Sequence, residues 1–190
     1  MSIQRVAIIY NDKPRPETTG FYCRRALGQL VEVEHFLPGD LGNLSRQGFD
    51  LYLHIDDGLD YRLPGDLRPC AWWAIDTHLD FAACLEKARA FDYVFAAQRD
   101  GALRLREQGI ASATWLPLAC DPEIHAKHDV EKTFDFCFVG NVFPGARGEL
   151  LELLQRRFPK HFVGRAYFEE MARTYSAARL VFNRGVANDI

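Results

Sequence analysis

Short apolar runs alternate with amphipathic segments along this chain, and that alternation narrows the fold more than any other feature. Val6-Ala-Ile-Ile-Tyr10, Val31 to Phe36, Leu51-Tyr-Leu-His-Ile55, Cys70-Ala-Trp-Trp-Ala-Ile75, Tyr93-Val-Phe-Ala96 and Ala113-Thr-Trp-Leu116 all have the length of strands. Between them, apolar residues recur at helical spacing. Thr19-Gly20 precedes a helix carrying Cys23, Ala26, Leu27 and Leu30 on one face; a second helix spans about Asp80 to Ala90, and a third runs through Leu103 and Leu105. Apolar strands separated by helices predict a parallel sheet covered on both faces.

The alternation stops over residues 119–133, which read as a connector, and then resumes. Phe134 to Val139 is a strand. Leu150, Leu151, Leu154 and Phe158 mark a helix, His161 to Gly164 a short strand, and Phe168, Met171, Ala172 and Tyr175 another helix. Leu180 to Asn183 reads as the last strand. The expectation is a complete N-terminal Rossmann-like domain over residues 1–118. A partial second one follows over 134–190, shorter than the roughly 100 residues of a complete doubly wound domain. An incomplete second domain would expose a sheet edge at Val181-Phe182 and leave the helices bearing Leu151 and Met171 partly uncovered. That predicts self-association.

With 48% hydrophobic and 26% charged residues, the composition is that of an ordinary globular protein. A formal net charge of −3 argues against a broad nucleic-acid or membrane surface and leaves room for a local anion pocket. The chain enters a strand almost at once and carries no long apolar span, which predicts a cytoplasmic protein. Five scattered cysteines without a CxxC motif read as reduced, packed thiols.

In open parallel sheets, ligands bind beyond the carboxyl ends of the strands. Polar residues collect there: Asn11-Asp12, Asp56-Asp57, Asp76-Thr77-His78, Gln98-Arg99, Gly140-Asn141, Gly164-Arg165 and Asn183-Arg184. Solvated loops alone would give much of this pattern. No GxGxxG follows the first strand, and no GxxxxGK[ST], GxSxG or HExxH is present. Asp76, His78 and Asp80 stand at alternate positions, a spacing that could aim ligands at a divalent ion with help from Asp56 and Asp57. The simpler reading is that Asp76 ends a strand and Asp80 caps a helix. His78 as a general base oriented by Asp76 is the stronger chemical reading. In Gly140-Asn-Val-Phe-Pro-Gly145-Ala-Arg147 the glycines permit close backbone approach, and Arg147 falls in the first turn of the next helix. That combination suits phosphate.

Several segments in order carry a family resemblance: Trp73-Ala-Ile-Asp76-Thr-His78, Phe91-Asp92-Tyr-Val-Phe with Ala97-Gln98, Gly109, and Trp115-Leu-Pro-Leu-Ala-Cys-Asp121-Pro122. Phe134-Asp-Phe-Cys-Phe-Val-Gly140-Asn141, Met171-Ala-Arg-Thr-Tyr-Ser176, Val181-Phe-Asn183-Arg184 and Asn188-Asp189-Ile190 follow. From about residue 70 onward the chain resembles the CgeB-like glycosyltransferases of the spore maturation protein type. The resemblance implies a GT-B architecture and transfer of a glycosyl group from a nucleotide-sugar donor to an acceptor that it does not identify. The donor is a substrate, so no cofactor is implied, and GT-B enzymes generally need no catalytic metal. By position the resemblance implies Asp76 and His78 as catalytic groups at an interdomain cleft. It implies Thr19, Gly20, Gly140, Asn141, Arg147, Arg165, Asn183 and Arg184 as donor-binding positions. In the family an Arg-x-Phe-Glu segment follows the Asn-Asp-Ile stretch, and its carboxylate holds the donor. The sequence ends at Ile190 without it, so the expectation is a chain inactive in transfer. The alternative is a non-catalytic nucleotide- or protein-binding module.

Overall fold

Val6, Ala7, Ile8 and Ile9 are all buried, as a strand must be when it has neighbours on both sides and cover on both faces. They belong to β1 (Arg5–Ile9), which lies between β2 (Glu32–Phe36) and β3 (Leu51–Ile55). The computed structural model describes residues 2–13, 16–44 and 48–184. β4 (Cys70–Ala74), β5 (Tyr93–Ala96) and β6 (Ala113–Trp115) complete a six-stranded sheet in the order β2-β1-β3-β4-β5-β6, with every pair parallel. This is the flavodoxin-type order extended by one strand, not the 3-2-1-4-5-6 order of the dinucleotide-binding Rossmann fold. The chain divides into two compact units, Met1–Ala119 and Cys120–Ile190, and this sheet belongs to the first.

Register decides which residues meet. Tyr52 pairs with Cys70, His54 with Trp72 and Trp72 with Val94, so these side chains leave one face of the sheet. Helices α2 (Phe81–Ala88) and α3 (Arg99–Glu107) cover that face beyond β4, where Trp72, Ala74, Val94 and Ala96 pack with Ala88, Ala102 and Leu105. Helix α1 (Thr19–Leu27) covers the other face, with Cys23 and Leu27 against Val6, Ile8, Tyr10 and Leu53. The helical stripe is therefore narrower than the sequence predicts: Leu30 is 80% exposed in a turn beyond α1, and Ala26 is exposed. Thr19 and Gly20 form the first turn of α1 instead of preceding it. Thr18 supplies the cap, its hydroxyl accepting from the Phe21 N–H at 3.2 Å.

Two pieces of cover were not legible in periodicity. A 3-10 helix over Pro38–Asn43 places Leu41 in the core beside Ala7 and Ile9. Between β3 and β4 there is no helix at all. The irregular crossover 56–69 lays Tyr61, Leu63 and Leu67 over the sheet instead. Its far end is clasped by Asp92, which accepts from the Cys70 N–H and from Arg68, both at 2.8 Å.

The second unit has its own sheet. β7 (Phe134–Val139) lies between β8 (His161–Gly164) and β9 (Ala178–Val181), all parallel. The spacing of Leu151 and Leu154 forms α4 (Ala146–Arg157), which packs on Phe136 and Phe138. Leu151 is fully covered, while Leu153 in the same helix is 56% exposed and Phe158 at its end 37%. α5 (Phe168–Ala177) runs directly into β9, two residues before the expected start at Leu180. Lys132 explains the early entry: its ammonium donates to the carbonyls of Ser176 and Ala178, both at 2.7 Å, and the Thr133 N–H donates to Ala177. The loose end of the helix is thereby pinned to the extended residues that lead into β7. Leu180 and Val181 are exposed, 67% and 52%, whereas Phe182 packs on the core of the unit. Asn188, Asp189 and Ile190 lie outside the described residues.

Candidate functional site

The carboxyl ends of the two sheets differ in what their polar residues are doing. In the first unit most of them fasten loops. Asp57 accepts from the Asn11 N–H at 2.8 Å, the Leu59 N–H at 3.0 Å and the Tyr61 hydroxyl at 3.1 Å, so it binds the ends of β1 and β3 to the crossover. Asp56 accepts from the Ile75 N–H at 3.2 Å, which joins β3 to β4. Thr77 is buried, and its hydroxyl donates to the Gln98 side-chain oxygen at 2.8 Å while the Gln98 amide donates to the Ile75 carbonyl at 2.6 Å. Gly101 in α3 lies against this hydroxyl so closely that a Cβ there would meet it at 2.1 Å. Thr77→Val, which keeps the shape and removes the donor, should cost about 1 kcal/mol in urea unfolding because Gln98 loses its partner in a buried setting.

Asp76 and His78 flank Thr77 on the turn after β4. Asp76 is exposed and His78 half-buried. Asp80 takes the plainer of its two roles: it caps α2, accepting from the Ala83 N–H at 3.0 Å. Among the described residues no three His, Cys, Asp or Glu side chains converge in a way that could hold a metal ion. Thr19 is half-buried at the start of α1, and Gly20 is buried against the ring of Tyr10. The closeness of that packing accounts for the glycine without a ligand. Burial pushes the thiols of Cys23 and Cys84 up to about 11, which suits packed cysteines and not nucleophiles.

The second unit gathers its predicted residues into one place. The Gly140 N–H donates to the Gly164 carbonyl at 2.9 Å, holding the ends of β7 and β8 together. From there Asn141 takes two arginines: its side-chain oxygen accepts from Arg165 Nε at 2.9 Å and its carbonyl from Arg147 Nη1 at 3.3 Å. Arg147 Nε also donates to the Arg184 carbonyl at 2.7 Å. Arg147 thus joins the loops after β7 and β9, and Arg165 joins the loop after β8 to Asn141; Asn183 stands exposed beside Arg184. No carboxylate pairs with Arg147, Arg165 or Arg184 among the described residues. Gly145, at φ 96°, turns the chain into α4 where a side chain would be strained, and offers no side-chain cap to the first N–H groups of the helix.

Two residues of this site escaped the sequence reading. Phe143 is 44% exposed, and the Arg147 guanidinium lies 6.0 Å from its ring centre. Phe168, three residues past Arg165, has φ 51°, a left-handed conformation unusual for an aromatic residue and of the kind that clusters at ligand sites. Residue type gives no signal for either, since both properties arise from loop geometry. Comparison of the chain with protein-family models and with curated proteins found no match.

Proposed function

We propose that this chain is a glycosyltransferase-like protein of the GT-B type, akin to the CgeB-like enzymes, whose second unit takes the diphosphate of a nucleotide-sugar donor. The observation that carries the reading is the joining of Arg147 and Arg165 on Asn141, with the Arg184 carbonyl holding Arg147, at the carboxyl end of the β8-β7-β9 sheet. Guanidinium groups present rigid forks of N–H donors that match phosphate oxygens, and they keep their charge at any working pH. Here the Arg184 and Asn141 carbonyls take Nε and Nη1 of Arg147, and the Asn141 side chain takes Nε of Arg165, which leaves Nη2 of the first and both Nη groups of the second for a ligand. Beside them, the uncapped N-terminus of α4 adds backbone N–H groups and the positive end of its dipole.

In glycosyl transfer the bond between the sugar and the nucleoside diphosphate breaks, and charge grows on the departing diphosphate. Fixed cations at that point stabilise the transition state more than the ground state. In the first unit, we assign Asp76 or His78 as base for the acceptor hydroxyl if configuration inverts; if configuration is retained, both would orient the sugar. A non-catalytic nucleotide-binding module is the second reading. It draws on the structural use of Asp56, Asp57 and Thr77, which takes those polar groups at the strand ends of the first unit out of the chemistry.

The test is calorimetric titration with nucleoside diphosphates and with inorganic pyrophosphate, followed by assay of donor hydrolysis. Arg165→Ala should weaken diphosphate binding about tenfold or more, since a hydrogen bond to a charged group contributes about 1.5–3 kcal/mol. Binding that weakens in this way, together with donor turnover, supports the transferase. The same binding without hydrolysis or transfer favours the module. Diphosphate binding that is absent, or indifferent to Arg165, would show the site to be misplaced.

A further inference from the structure

Two side chains in the core of the first unit carry polar atoms that the fold leaves without partners. His54 is 0% exposed and Trp72 1%. Among the described residues, neither imidazole nitrogen of His54 nor the indole N–H of Trp72 has a hydrogen-bond partner. The two residues are register partners on β3 and β4, so they stand side by side on the same face of the sheet. The surrounding rings do not take the N–H groups. Tyr61 lies 4.6 Å from His54 at an interplanar angle of 36°, and Phe91 lies 5.8 Å from it at 41°. Phe91 stacks on Trp72 at 5.9 Å and 26°. An N–H that points into a ring face requires planes near perpendicular, and none of these pairs approaches that. Each buried polar atom left unpaired forfeits its hydrogen bond to water, yet a leucine or phenylalanine at either position would fit an apolar sheet face without that loss.

We infer that His54 and Trp72 form a buried binding site for one small uncharged hydrogen-bonding molecule of the size of water, sealed by the crossover 56–69. The chemistry of the three nitrogens selects the ligand. Neutral imidazole offers one N–H and one lone pair, and indole offers one N–H. The two imidazole nitrogens point apart, so one molecule meets one of them together with the indole N–H, and a molecule that both donates and accepts suits that pair in either tautomer. An anion would meet the imidazole lone pair, and a cation would meet the indole N–H. Lys87 turns a cation away further, with its ammonium 5.1 Å from the Trp72 ring and 5.5 Å from the Tyr61 ring. Packing sets the size, since Phe91 lies against both residues and Tyr61 against His54. The seal is itself fastened: Tyr61 donates to Asp57 at 3.1 Å, and Lys87 donates to the Leu59 carbonyl at 3.4 Å. Internal water bound by several polar groups is a regular part of folded proteins, and here it would tie β3 to β4 beneath a crossover that has no helix of its own.

The decisive measurement uses the unmodified chain and water as the probe. In water-selective NOE and ROE spectra, the Trp72 indole N–H, assigned by its disappearance in Trp72→Phe, should show direct transfer from a water molecule resident for longer than nanoseconds. The transfer should vanish in His54→Leu and persist in His54→Gln, which keeps a donor and an acceptor. Absence of resident water at that N–H in the unmodified chain would overturn the proposal. So would a saturable shift of the same resonance on titration with sodium bromide, which would make the site an anion site.

Discussion

Lowering the pH from 6.5 towards 3 is expected to unfold the first unit, and His54 sets that window. Burial, with the nearby charge of Lys87 second, pushes its imidazole down from the ordinary 6.5 to about 3. The unfolded chain therefore takes up a proton below 6.5 that the folded chain refuses until about 3. Stability is complete above the unfolded value and falls as pH drops, by roughly 1.4 kcal/mol per pH unit across the window. The accumulated loss, roughly 4–5 kcal/mol, is comparable with the whole stability of a small domain. Asp50 works in the same direction at lower pH: the N–H groups of Gln4 and Arg5 hold its carboxylate below the usual range, and protonation removes that clasp. The check is the urea midpoint against pH for the unmodified chain and for His54→Gln. The variant should lose most of the slope between these limits. Parallel profiles would mean that His54 takes its proton without unfolding the sheet.

Gly20→Ala should be strongly destabilising. A Cβ at Gly20 would stand 2.2 Å from Cγ of Tyr10 and 2.5 Å from both Cδ atoms, well inside contact distance. Tyr10 cannot retreat. It is 2% exposed, its ring stacks on His35 at 3.9 Å, and its carbonyl bonds His35 Nε2 at 2.9 Å. Helix α1 would have to lift from β1, at a cost of about 3 kcal/mol and a fall of about 10 °C in melting temperature. Gly42→Ala is the control, since a Cβ there meets nothing within 4 Å and should change stability by less than about 0.5 kcal/mol. Equal melting points for the two variants would show that α1 is not packed on Tyr10 as described.

These two results test what differs most between reading the residues and reading the fold. Val6–Ile9 and Phe134–Val139 could be recognised as buried strands because apolar residues on both faces leave few other solutions. The helical spacing of Leu151 and Leu154 was sufficient for α4. The start of β9 was misjudged because Leu180 and Val181 supply the apolar signal, whereas Ala178 is the residue that becomes buried and Lys132 decides where the strand begins. Likewise Leu30 has the spacing of a buried residue and lies in solvent, since α1 ends before reaching it.

Of the candidate site, Gly140, Asn141, Arg147, Arg165 and Arg184 could be named in advance from a general rule, that polar residues just past parallel strands face the ligand side. That Asn141 receives both Arg147 and Arg165 could not, because the partners lie up to 24 residues apart and meet only when β7 and β8 are in register. The same holds for Asp57, whose carboxylate reads as a further ligand for a divalent ion until Asn11 and Tyr61 are seen donating to it. By itself the sequence determined the alternation of strands and helices and the side of each sheet on which polar chemistry collects, since both follow from local periodicity and chain direction. Tertiary structure alone decided the β2-β1-β3-β4-β5-β6 order, the burial of His54 beside Trp72, and which polar side chains fasten loops and which remain open to a ligand. The physical reason is that strand order and side-chain pairing depend on contacts between segments distant in sequence, and a residue's own type carries no record of its partner.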